Sequence, residues 1–344
     1  MENEIHVPRL RYRFLPRIRL SLWGRSGIVQ ETFTYPEHHA RYSLWAQVAI
    51  LAITLLWSRT VDGVLFSGDA IAYFQMLSDG SWIDYYRLQP TMFLVLSIFR
   101  PGTFQTYITY SGAIPLTLLL ISFYRKGYSR VDQFLLTLFF SCSFYGVHFL
   151  LDFQRQFYAI VFFVLATTMK RASLPARVAS LLSHSFAFVT QLFWSARRLD
   201  IKMVMLLCVP AIPLLYFLAT IVDPERVASY SSGEQAFSSI IIKQLLNIGY
   251  TVVVILTLKK GHSSVRTLAY LYVGIGLPCL LSVTYGRLFA RFDYYFFPLL
   301  VAFWPTSLDP KWRVLFRLVL IGSTVLGFYL WVHMNFSWII NGVG

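Results

Sequence analysis

Apolar residues in this chain come in long blocks, and the polar residues collect between them. The clearest blocks are 201–222, 238–258 and 314–334. Each is roughly 20 residues long, which is the length at which an α-helix crosses the hydrocarbon core of a bilayer. The chain lacks the alternation of apolar and polar positions that is typical of membrane strands. The pattern therefore predicts an all-α polytopic membrane protein.

The blocks predict about nine full transmembrane helices together with partial or re-entrant elements. The predicted crossings are 43–66, 106–124, 133–150, 153–169, 203–222, 238–258, 265–284, 288–305 and 314–334, with outer loops at 67–87, 223–237 and 285–290. Segment 88–99 is too short to span and predicts a partly inserted element. Segment 173–195 has basic residues on both sides, so we interpret it as a re-entrant hairpin with its apex near 183–185. A single crossing is the alternative.

Composition and charge agree with a membrane location. The chain is 56% hydrophobic and only 13% charged, whereas a soluble domain carries about 25% charged residues. The net charge of +14 is confined to segment 1–42 and to five short loops, which together hold 22 of the 30 Lys and Arg but seven of the 16 acids. The loops are 125–132, 170–177, 197–202, 259–266 and 309–317. Positive loops stay in the cytoplasm, so the basicity indicates topology and not nucleic-acid binding.

This topology predicts two parts of the chain. Residues 1–42 are expected to form a basic, amphipathic cytoplasmic arm that contacts anionic membrane lipids of the inner leaflet. Residues 43–344 are expected to form a single transmembrane catalytic domain. The N-terminus is then cytoplasmic and the C-terminus lies outside.

Polar residues at the outer ends of membrane segments are functional candidates, because they are costly there. Under the predicted topology they converge on one face: Asp69, Tyr73, Asp84, Arg87, Asp152, Arg155, His184, Arg287, Arg291 and Asp293. Arg287 and Arg291 share a helical face, and Arg155 adds a third guanidinium fork suited to phosphate oxygens. The alternative is that these arginines reach toward lipid head groups or pair with acids.

Candidate acid–base residues lie on the same face. His184 is a candidate general base, with a packed, hydrogen-bonded histidine as the alternative. Asp69 and Asp84 are candidate bases or ligands of sugar hydroxyls, with solvated loop acids as the alternative. No HExxH, GxSxG, Walker or CxxC motif occurs, and the histidines show no metal-ligand spacing. We therefore expect neither a metal nor a cofactor.

Five short segments together resemble the EpsG/Wzy-like polysaccharide polymerases. They are Gly68-Asp69-x-x-x-Tyr73, Gln89-Pro90-x-x-Phe93, Arg155-Gln156-x-x-Ala159, His184-Ser185 and Arg291-x-x-x-Tyr295. They occur in the order of the family and with roughly its spacing, over about residues 43–305. The sequence departs from the family at Gln89, where the family tends to have Glu, so no acid role is assigned there.

The resemblance implies a membrane glycosyltransferase of the GT-C type in the bacterial inner membrane. It would polymerise oligosaccharide repeats linked to undecaprenyl pyrophosphate at the periplasmic face, without a metal, alongside a flippase and a chain-length regulator. The implied catalytic residues are His184, Arg155, Arg291 and Asp69. The implied substrate-binding residues are Arg287, Tyr73, Asp84, Arg87, Asp152 and Tyr295. A glycan ligase that uses the same donor, a polysaccharide transporter or flippase, and a membrane acyltransferase are the alternatives.

Overall fold

A computed structural model describes residues 68–151, 153–169, 172–195, 202–204, 206, 237–259, 262–279 and 283–341. This part of the chain is almost entirely helical and contains no strand, only an isolated bridge between Leu258 and Leu308. The all-α prediction is therefore confirmed for these residues. The predicted arm 1–42, the crossing 43–66 and most of the stretch 203–237 lie outside the described residues.

The described helices are numbered here in chain order. They are α1 Gly68–Asp79, α2 Trp82–Tyr86, α3 Thr91–Phe99, α4 Phe104–Arg125, α5 Arg130–Cys142, α6 Phe144–Leu151, α7 Gln154–Thr168, α8 Ser173–Leu181, α9 Phe186–Ser195, α10 Phe237–Thr257, α11 Ser263–Cys279, α12 Val283–Ser307 and α13 Arg313–Asn341.

The segment 67–87 was predicted to be an outer loop, but residues 68–86 are largely helical and form α1 and α2. Its position relative to the membrane stays a prediction. Ala70, Tyr73 and Leu77 recur at helical spacing on α1 and pack into one apolar cluster with α3 and α4. This buried face stabilises a helix even though the opposite face is polar. Asp79 and Asp84 of this segment are exposed to solvent.

Two other predicted boundaries are also wrong. The crossing 133–150 is broken at Ser143, whose extended backbone separates α5 from α6 and whose hydroxyl accepts a hydrogen bond from the Gly146 amide at 3.2 Å. The helices meet closely there, because a Cβ on Gly146 would lie 2.6 Å from the Phe140 backbone. The predicted loop 285–290 is helical and belongs to α12. A single glycine, Gly286, costs a helix only about 1 kcal/mol.

Among the described helices, α4 alone is both long enough and apolar enough to cross a membrane. Helices α10, α12 and α13 reach 21, 25 and 29 residues, which satisfies the length requirement by itself. The number of membrane crossings therefore remains a prediction.

Several of the basic loops meet at one end of the helical bundle. Arg317 of α13 forms an ion pair with the buried Asp132 of α5 at 2.8 Å. The segment after α10 pairs with the segment after α12 through the bridge between Leu258 and Leu308. At the same end, the Ser264 hydroxyl donates to the Trp194 carbonyl at 3.0 Å, which brings in the end of α9. Loops 125–132, 259–266 and 309–317, which the charge pattern places on one side of the membrane, are thus neighbours in space.

Helices α8 and α9 form an antiparallel helical hairpin that turns at residues 182–185. The Gln191 side chain donates to the Arg177 carbonyl at 2.9 Å and holds the two helices together. The Ser180 hydroxyl donates to the Ala159 carbonyl of α7 at 2.8 Å, so the hairpin packs along α7. This is the chain path that the re-entrant interpretation requires, and the turn falls where the apex was predicted.

Candidate functional site

Arg155, the second residue of α7, is the centre of the candidate site. Its Nε donates to the Tyr73 hydroxyl at 3.1 Å and its Nη1 donates to the Gln89 Oε1 at 2.8 Å. The guanidinium also lies over the Tyr86 ring, 4.1 Å from its centroid. Three segments that are far apart in sequence therefore converge on one half-buried arginine.

Within the described part of the chain, the contacts of Arg155 are to uncharged groups. A phenol, a carboxamide and aromatic faces orient the guanidinium without neutralising it. The ion pair of Arg317 with Asp132 lies at the other end of the bundle. Arg155 also occupies the N-terminal turn of α7, where the helix dipole adds positive potential. The arrangement suits an anionic ligand.

Stacked aromatic rings form the wall behind the guanidinium. Trp82 and Tyr86 both stack on Phe93, with ring centroids 5.5 and 5.3 Å apart, and Tyr73 meets Phe93 edge to face. Because these rings come from α1, α2 and α3, they fix the position of Tyr86 under Arg155. Aromatic faces beside a cation are also a common surface for sugar rings, which present C–H groups to them.

His184 lies in the turn between α8 and α9. Its ring stacks on Tyr295 of α12 at a centroid distance of 6.2 Å and contacts Phe186 at 4.9 Å. Its Nδ1 accepts a hydrogen bond from the Phe186 amide at 3.2 Å. A neutral imidazole that accepts at Nδ1 carries its proton on Nε2. In this arrangement Nε2 is a hydrogen-bond donor.

The start of α3 connects the Arg155 cluster to the hairpin turn. The Thr91 amide donates to the Leu182 carbonyl at 3.2 Å, and the Thr91 hydroxyl donates to the Ala179 carbonyl at 3.0 Å. Gln89 precedes Thr91 by two residues, and His184 follows Leu182 by two. The partner of Arg155 and the turn that carries His184 are therefore adjacent.

One buried phenol near these groups, that of Tyr158 one turn after Arg155, has no hydrogen-bond partner in the described part of the chain. The Tyr295 hydroxyl, beside His184, lies near the hydroxyls of Ser180 and Thr190, which donate to backbone carbonyls and can accept from the phenol. Unpaired buried hydroxyls are rare and call for an explanation. A ligand that binds near the start of α7 would supply a partner for Tyr158.

The remaining predicted site residues fall into three groups. Asp84, on α2, and Arg87, just after it, are exposed. For Asp69, Arg287 and Arg291 the structure gives the position of the backbone. Asp69 lies one turn before Tyr73 on α1, and Arg291 lies one turn before Tyr295 on α12. Asp152 lies outside the described residues.

Two contact residues were given no role by the sequence reasoning. Gln89 was quoted in a motif but left unassigned because an amide cannot act as an acid, and Tyr86 belonged to no motif. A short aromatic run next to the Gln-Pro segment was the available signal for both.

The described residues include no group of three or more His, Cys, Asp or Glu side chains that could hold a metal ion. Comparisons with family models, with curated proteins and with solved structures gave no match to this chain.

Proposed function

We propose that this protein polymerises oligosaccharide repeats carried on undecaprenyl pyrophosphate, at the outer face of the bacterial inner membrane. One observation carries the proposal: Arg155 is held half-buried by neutral partners, and those partners come from the segments that the family-order motifs predicted. Tyr73, Gln89 and Arg155 belong to three separate motifs and are in direct contact.

A membrane location is supported by the surface of the helices. Helix α13 exposes an apolar stripe that includes Val314, Leu318 and Val325, each more than 60% exposed. On helix α10, Leu256 is 80% exposed. Large continuous apolar patches are rare on the surface of soluble proteins, whereas lipid would cover such a stripe. The basic loops at one end of the bundle fit a cytoplasmic side.

The donor diphosphate is proposed to bind Arg155, together with Arg291 and Arg287 from α12. A guanidinium whose partners are neutral keeps its charge for the ligand, and its planar fork matches two phosphate oxygens. As the bond from the anomeric carbon to the diphosphate oxygen breaks, the leaving group takes the bonding electrons. Fixed cationic donors stabilise that developing charge, each by on the order of a few kcal/mol. The two phosphate groups then leave as the lipid diphosphate.

The acceptor is the terminal sugar hydroxyl of a second lipid-linked repeat. Its oxygen attacks the anomeric carbon and its proton passes to a base. Asp69 is proposed as that base because it shares a face of α1 with Tyr73, the partner of Arg155. His184, with its Nδ1 engaged by the backbone, is proposed to donate from Nε2 to a substrate oxygen, and Tyr295 holds its ring. Asp84, Arg87 and Asp152 are proposed to bind sugar hydroxyls.

The proposal is tested with purified protein in detergent and lipid-linked repeats as the only substrate. The wild type should form a ladder of polymer, also in excess EDTA. Arg155→Lys should lose most of this activity, because an ammonium cannot make the bidentate contact, whereas Lys259→Gln at the basic end should retain it. A wild type that makes no polymer, or equal activity of both variants, would contradict the proposal. Loss in EDTA with recovery in Mg²⁺ or Mn²⁺ would contradict its metal independence.

A further inference from the structure

Asp293 is the centre of a second polar cluster, separate from the Arg155 contacts. Its side chain is completely buried in the middle of α12. One carboxylate oxygen accepts from the Tyr145 hydroxyl at 2.7 Å, and the other accepts from the Tyr272 hydroxyl and from the Asn247 amide, the latter at 3.1 Å. Asn247 also donates to the Tyr145 hydroxyl. Four helices, α6, α10, α11 and α12, thus meet at one carboxylate.

The cluster satisfies the carboxylate from within the protein. A buried carboxylate is costly unless several donors stabilise it, and here three side chains do so from three different helices. A polar network of this kind is strongly sensitive to geometry, because moving one helix breaks several hydrogen bonds at once. It therefore fixes the rotation and height of α12 relative to its neighbours.

The opposite side of α12 faces the hairpin turn. Tyr295 follows Asp293 by two residues, about 200° around the helix, and its ring stacks on His184. Arg291 lies one turn before Tyr295, on the same side as that residue. Any rotation of α12 about its axis would displace both of them.

We infer that Asp293 is a positioning residue, whose hydrogen bonds with Tyr145, Tyr272 and Asn247 hold α12 so that Tyr295 packs on His184 in the hairpin turn. The inference rests on the proposed function for its kinetic consequence. Its structural consequence, the packing of Tyr295 on His184, can be measured without any activity.

The test compares Asp293→Asn with the exchange variant Asp293→Asn/Asn247→Asp. The exchange variant puts the carboxylate at position 247 and the amide at position 293, whose side chains are 3.1 Å apart in the wild type. The cluster therefore keeps one acid and one amide. The structural signal is the NMR chemical shift of the ¹³C-labelled His184 side chain, and His184→Ala identifies that signal. Tyr295→Leu gives the chemical shift of His184 when the Tyr295 ring is absent. The kinetic signal is polymer formed per folded molecule. Tyr272→Phe, which removes one donor, serves if Asp293→Asn does not fold.

Asp132→Asn is the matched control, because Asp132 is another buried acid but lies at the basic end of the bundle. It should lower thermal stability and leave the His184 shift and the turnover per folded molecule unchanged. Asp293→Asn should move the chemical shift of His184 toward the value measured in Tyr295→Leu. It should also lower kcat by about 10²-fold, as an ångström-scale misplacement does. The exchange variant should restore most of the chemical-shift difference and most of the turnover.

Two results would overturn the inference. If Asp293→Asn abolishes turnover but leaves the His184 shift at its wild-type value, the carboxylate has a chemical role and not a positioning one. If the exchange variant restores neither signal, the hydrogen-bond network does not hold α12. A wild type without polymerase activity, together with the expected pattern of NMR shifts, would refute the proposed function and leave the positioning of α12 intact.

Discussion

Changing Gln89 to Glu is the most discriminating perturbation of the Arg155 site. The substitution is nearly isosteric, and it places a carboxylate where the amide oxygen now accepts from Arg155 at 2.8 Å. The guanidinium would then be paired with a fixed acid. We expect Gln89→Glu to fold, to strengthen the contact with Arg155 and to weaken the binding of a diphosphate.

The size of the effect follows from the contact that the ligand must replace. In the wild type the ligand already displaces the Gln89 amide from Arg155, so the variant loses only the additional attraction of the carboxylate. That additional attraction is about 1–1.5 kcal/mol, the step between the ranges for weaker and stronger hydrogen bonds. Since about 1.4 kcal/mol corresponds to a factor of ten in Kd, the affinity should fall about 5- to 12-fold.

The assay is calorimetric titration of the detergent-solubilised protein with farnesyl diphosphate, with farnesol as the probe that lacks the phosphates. Gln75→Glu is the matched control, because it adds the same charge on the exposed side of α1. Gln75→Glu should change the affinity for the diphosphate by less than about threefold, because water and salt screen an exposed charge. Equal affinities of the wild type and Gln89→Glu, or equal losses in both variants, would refute the assignment of Arg155 as the anion-binding residue.

Three other predictions follow from the described contacts. Reporter fusions after Arg171 and Arg197 should both report cytoplasm; opposite sides would rule out the re-entrant hairpin and remove His184 from the site. In the polymerase assay, Asp69→Asn should lose most turnover, by the 10²–10⁴-fold typical of a general base, whereas His184→Ala should lose less; the reverse ranking would make His184 the base. Burial lowers the pKa of Lys126, which lies over the Phe303 ring, to about 7. Above that pH the amine is neutral in the folded protein but still protonated in the unfolded chain, so the free energy of unfolding should rise from pH 7 toward 10. Thermal unfolding of the wild type should show this rise and Lys126→Met should not; parallel curves would contradict it.

The positions that could be read from the sequence were those governed by a repeated or strong local signal. Basic loops at 125–132, 259–266 and 309–317 are neighbours in the structure because positive charge sorts to one side of a bundle. The turn at His184 was predictable since basic residues flank a segment too short for two full crossings. The contact of Tyr73 with Arg155 was not predicted; the motifs named both residues only as members of one site.

The missed features depend on tertiary contacts. The break at Ser143 needs the close approach of Gly146 to the Phe140 backbone, and a run of apolar residues gives no sign of it. The helical state of 67–87 depends on the burial of one face against α3 and α4, while its average composition is polar. The Asp293 cluster joins residues 46 and 148 positions apart, and side chains so distant in sequence carry no local pattern.

The lipid-linked glycan profile of a deletion strain tests the central claim most directly. The strain is complemented with the wild-type chain or with Arg155→Lys at equal membrane abundance, and the lipid-linked glycans are separated by size. The polymerase account predicts single repeats in the deletion strain, a ladder of polymer with the wild type and single repeats with Arg155→Lys. Long chains that accumulate on the lipid carrier in the deletion strain would contradict it and indicate a ligase, and an unchanged profile would contradict any role in this glycan.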